Sequence, residues 1–80
     1  MGKMVVDLEE ARTAFYAMAR SEEVPFVVND VVDLVTGPHA GTGGALISIE
    51  SVDPLTYLVE RGDGGGDLLV PAKNLRLRQP

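Results

Sequence analysis

Residues 37–44 read Gly-Pro-His-Ala-Gly-Thr-Gly-Gly and lie between two apolar runs, Val31–Val35 and Leu46–Ile49. Glycine enters positive-φ conformations without a Cβ penalty. Gly37, Gly41 and Gly44 therefore mark a tight connection that reverses the chain between two strands. With 80 residues in all, there is room for one domain, which buries only about 60–65% of its unfolded surface. The aromatic side chains are Phe15, Tyr16, Phe26 and Tyr57, with no Trp. Val, Leu and Ile must fill a thin core.

Short β runs with turn signals between them follow Pro25. Phe26–Val28 is a brief extended entry, closed by the turn pair Asn29-Asp30. Val31–Thr36 reads as the first strand, Ala45–Val52 as the second and Leu55–Arg61 as the third, with Asp53-Pro54 turning the chain between the last two. After the loop Gly62–Asp67 come Leu68–Val70 and Leu75–Arg78, separated by one expected turn of 3₁₀ helix at Pro71–Asn74. Five short strands in so few residues imply a small barrel or curled sheet, since closure removes exposed edges.

Ahead of the strands, residues 8–20 read as one helix. Asp7 is a good N-cap and Glu10 completes a capping box. Leu8, Ala11, Phe15 and Met18 form a single apolar stripe at helical spacing. A helix this short is marginal alone in water, so the stripe must pack on the barrel or on another chain. The organisation expected is a helix and link at 1–23, then the barrel at 24–80, within one domain.

Composition removes several function classes. Without cysteine there are no disulfides, thiolate zinc sites or cysteine nucleophiles. No apolar stretch suggests a signal peptide or approaches the ~20 residues of a membrane span, so the expected location is the cytoplasm. Net charge is −5, which opposes phosphate binding over the surface as a whole. The charge is uneven, however, because all twelve carboxylates precede residue 68 and Lys73, Arg76 and Arg78 follow it.

Asp30 opening a strand, Val32 and Leu34 alternating along it, then Gly37-Pro38, Ala40-Gly41, Gly44 and Leu46 resemble the KOW type of SH3-like barrel. That family is known from transcription elongation factors and ribosomal proteins. The Pro71–Leu77 segment looks like the closing 3₁₀ turn and last strand of such barrels, and about 50 of the 80 residues are covered. The resemblance implies a mostly β fold, a five-stranded SH3-like barrel preceded by one α-helix. It also implies RNA, ribosome or transcription association. The basic side chains that RNA-contacting KOW loops carry near the last glycine are replaced here by Thr42 and Gly43. Too few aromatics are present to line a polyproline groove or to cage a methylated lysine.

The candidate residues then fall into two groups. Leu8, Phe15, Tyr16 and Met18 on the helix, with Pro38 and His39 in the glycine loop, are candidates for a protein interface, including a homodimer through the helix. Lys73, Arg76 and Arg78, with the Gly37–Gly44 backbone, are candidates for nucleic-acid contact. The arginines would share one sheet face while Leu75 and Leu77 enter the core, and they could pair with Asp30 or Asp33. His39 has no nucleophile or carboxylate beside it in sequence, the loop 37–44 lacks the Gly-Lys-Ser/Thr of a P-loop, and Gly62–Asp67 offers too few oxygens for calcium. The expectation is a non-enzymatic interaction module or accessory subunit, without cofactor or metal.

Overall fold

The fold is that of a computed structural model, which describes residues 7–78. Asp7 caps the first helix as its sequence demands: its carboxylate accepts the Glu10 N–H at 2.8 Å, and the Glu10 carboxylate accepts the Asp7 N–H. Helix α1 runs Leu8–Tyr16. It stops short of the expected residue 20 because Met18 adopts φ 58°. The Met18 N–H then bonds the Phe15 carbonyl and the Ala19 N–H bonds the Ala14 carbonyl at 2.8 Å, the paired bonds of a Schellman cap. Glycine is the usual residue at such a position, and its absence is why sequence spacing alone runs the helix on.

The link to the sheet is organised by Asp30. Its carboxylate takes a two-pronged contact from Arg20, at 2.7 and 3.2 Å, and the Val27 N–H at 2.9 Å. Burial alone would raise the Asp30 carboxyl, but these donors outweigh it and hold it below the usual carboxylate range.

Five antiparallel strands follow: β1 Val31–Leu34, β2 Gly43–Val52, β3 Leu55–Arg61, β4 Asp67–Pro71 and, after a 3₁₀ turn at Ala72–Asn74, β5 Leu75–Leu77. They form one sheet in the order β4-β3-β2-β1-β5. The fold is thus mostly β with one N-terminal helix, as expected. The ladder ends at β4 on one side and β5 on the other, joined in sequence by the 3₁₀ turn. Gly43 and Gly44 belong to β2 and not to the loop. At Gly44 the β3 backbone comes so close that a methyl group would run into the Glu60 carbonyl.

Strand β2 is irregular in a way that decides where the helix sits. Its pairing with β3 shifts between Leu46 and Ser48 and again between Ile49 and Ser51, so Ile47 and Glu50 are β-bulges. A regular strand turns every second side chain inward. The two extra residues turn Leu46, Ile49 and Val52 inward instead, at a spacing of three. Helix α1 docks at these bulges, with Tyr16 Oη donating to the Ile47 carbonyl at 3.1 Å and Arg12 Nε to the Ile49 carbonyl at 2.9 Å.

Helix and sheet share one core of Ala11, Phe15, Val24, Val27, Val32, Leu34, Leu46, Ile49, Tyr57, Val59, Val70 and Leu75. Phe15 packs its ring against Tyr57, with centroids 5.9 Å apart. The Tyr57 hydroxyl accepts from the Phe26 N–H at 3.1 Å and donates to the Phe26 carbonyl at 2.7 Å. Burial pushes the Tyr57 hydroxyl up to about 12.

Candidate functional site

The apolar stripe of α1 is divided by its docking. Ala11 and Phe15 are fully buried, Leu8 is half-buried, and Tyr16 and Met18 are 55% and 62% exposed. The expectation that Phe15 forms a protein interface is therefore corrected. Its ring fills the protein's own core beneath α1, because the β2 bulges bring the helix onto the sheet with residues 11 and 15 facing inward. Met18, named with it as an interface candidate, lies outside that core. The left-handed cap ends the helix before it and carries its side chain into solvent.

What remains outside is an open groove along one flank of α1, lined by Leu8, Glu9, Arg12, Thr13, Tyr16 and Ala17. These positions recur at one and four residues, one side of a helix. Leu8, Tyr16 and Ala17 supply its apolar surface. Arg12 is held by the Ile49 carbonyl and stands 3.7 Å from Glu50, while Glu9 lies on the open side. Tyr16 stacks edge-on against Phe15 with ring centroids 4.9 Å apart, so its exposed ring is fixed at both ends. A surface of this kind, amphipathic with a held aromatic ring, can bind an apolar side chain.

The loop candidates lie elsewhere. Gly37 and Gly41 take φ 93° and 96°, and the turn between them is tied by Ala40 N–H to the Gly37 carbonyl and Thr42 Oγ1 to the His39 carbonyl at 2.7 Å. Pro38 and His39 are both exposed. No acid–base partner reaches His39 among the described hydrogen bonds.

The cationic candidates are split. Arg78 is committed to Asp33 through Nε and Nη2 at 2.9 and 2.8 Å, and its guanidinium lies over Gly43, where any side chain would displace it. Lys73 and Arg76 are exposed and form no ion pair among the described residues. Asp30 is taken by Arg20, so of the two acids named for these arginines Asp33 is the partner. Arg12, Thr13 and Ala17 were missed as groove residues by sequence reasoning, because only the direction in which α1 docks separates its two flanks. No described helix is long and apolar enough to cross a membrane.

Compared with known proteins, the chain matches no family model, no curated protein and no solved structure.

Proposed function

We propose that the protein is a non-enzymatic interaction module of the cytoplasm, a KOW-like SH3-type fold that docks another protein on the outer flank of α1. The observation that carries this reading is Met18. A left-handed conformation costs a non-glycine residue about 1 kcal/mol, and at a helix cap glycine would avoid it. This chain instead holds a methionine there, 62% exposed, two residues after Tyr16, which is 55% exposed. The cap explains the backbone conformation but not the methionine, and a strained residue where glycine would serve is a mark of functional positions. The strand order and the 3₁₀ turn before β5 support the SH3-like part of the reading.

The test compares capture of partners from native extract by the wild-type protein, Met18→Gly and Tyr16→Ala. Under this reading a partner held by the wild type is lost from both variants while their melting curves stay cooperative. Equal capture by all three would sink it. A second reading, RNA association through Lys73, Arg76 and the Gly37–Gly44 loop, has in its favour that Lys73 and Arg76 are exposed and form no ion pair among the described residues. Filter binding at physiological salt separates the two. Tight RNA retention lost in Arg76→Ala and with added salt overturns the protein-docking reading.

A further inference from the structure

We propose that the free edge of β4 binds an extended segment of a partner protein carrying an apolar residue and a lysine or arginine two positions apart. This goes beyond the α1 reading and shares no residue with that groove.

The backbone comes first. The Arg61 N–H bonds the Gly66 carbonyl at 3.0 Å, and the β3–β4 register continues from that pair without a shift. In an antiparallel ladder, bonded and non-bonded pairs alternate. Val59–Leu68 and Tyr57–Val70 are then the bonded pairs, and Glu60–Asp67, Leu58–Leu69 and Thr56–Pro71 the non-bonded ones. The N–H and C=O groups of Asp67 and Leu69 thus point away from β3, and they make no hydrogen bond among the described residues. Pro71, whose nitrogen would face the same way, carries no donor and closes one end of the edge. The open template is the short stretch Asp67–Leu69.

The side chains beside it are unusual for a bare edge. Leu69 is 64% exposed and stands opposite the half-buried Leu58 on the outer face. Next to them Glu60 and Asp67 are directly opposite each other in a non-bonded pair, where side chains approach most closely. Like charges so placed repel, and no cation among the described residues pairs with either; Arg61 is committed to Asp63 at 2.8 Å. A strand added along this edge would put one side chain beside Leu69 and another, two residues away on the same face, beside Asp67, with Glu60 one strand further in. The first position calls for an apolar group and the second for a cation. A second copy of this chain would bring further carboxylates and no lysine or arginine from its own β4, Asp67–Pro71, so the charge favours a basic partner over self-association.

The probe is a blocked peptide, Thr-Thr-Val-Thr-Lys-Thr-Thr, together with its reverse order to cover both strand directions. It is titrated into the isotope-labelled protein with amide shifts and exchange followed by NMR. The expected result is saturable change at millimolar peptide centred on Asp67 and Leu69, with exchange of those two amides slowed. Asp67→Lys and Leu69→Thr, both at exposed positions, should each weaken binding about tenfold, added salt should weaken it further, and a glutamate in place of the peptide's lysine should abolish it. Met18→Gly should leave it unchanged, which separates this site from the α1 groove. Any of three results overturns the proposal, the first two being no saturable change and change centred on Tyr16 and Met18. A third is slowed exchange at β4 without peptide in a protein that sediments as a dimer, which would make the occupant a second copy.

Discussion

Met18 and Gly44 show opposite relations between a residue type and its backbone. At Met18 the conformation wants glycine and the chain supplies a long apolar side chain. Met18→Gly should raise stability by about 0.5–1 kcal/mol, read as a higher urea midpoint at unchanged slope. Gain of stability with loss of partner binding is the signature expected of a residue kept for contact. At Gly44 the chain supplies what the backbone needs. A methyl there meets the Glu60 carbonyl, which is part of the sheet and cannot swing aside. Gly44→Ala should cost about 2–3 kcal/mol or more by thermal melting. Tyr57 sets a third case, because its hydroxyl satisfies both backbone groups of Phe26. Tyr57→Phe leaves a part-buried N–H and carbonyl unpaired, a loss of about 1–3 kcal/mol in chemical unfolding.

At the level of elements, Tyr16→Phe isolates what one anchor of α1 contributes. The bond to Ile47 lies at the surface, so the loss should be about 0.5–1 kcal/mol, and exchange should quicken in α1 more than in β1 or β5. The strands themselves were legible from the sequence. Alternation and the glycine, Asp-Pro and Pro71 punctuation place all five, with Leu55–Arg61 correct to the residue. Two things were hidden, for physical reasons. The end of α1 was hidden because its cap uses Met18, and no glycine announces it. The bulges were hidden because Leu46, Ile49 and Val52 recur at three, a spacing that reads as neither helix nor regular strand until the extra residues Ile47 and Glu50 are seen. The candidate site was half legible. Tyr16 and Met18 are on the surface as an interface requires, whereas Phe15 obeys the same apolar spacing and is core. Periodicity identifies a stripe, and only the docked partner decides how much of it is covered.

For the whole molecule, pH sets stability through two groups at opposite ends of the scale. Tyr57 has its folded value raised to about 12 from an ordinary value of 10.0. A raised value means that its contribution is full below about pH 10 and is lost as pH rises toward 12. Melting temperature should fall through that window in the wild type, and Tyr57→Phe should remove that part of the fall. Asp30 has its folded value lowered, so its contribution is full above the ordinary carboxylate value and disappears as pH falls through the folded one. Asp30→Asn should flatten the acid limb of the melting profile. The same whole-molecule view gives the bulges of β2 a further meaning. A strand whose phase is shifted twice has nearby alternatives, in which Ser48 or Glu50 would turn inward and Ile49 outward. Arg12 and Tyr16 hold the phase that buries Ile49, so the alignment of β2 with β3 is set from outside the sheet. A chain cut after Arg20 would be free to slide along that ladder, and the hairpin at Asp53-Pro54 would register damage done at the other end of the sequence.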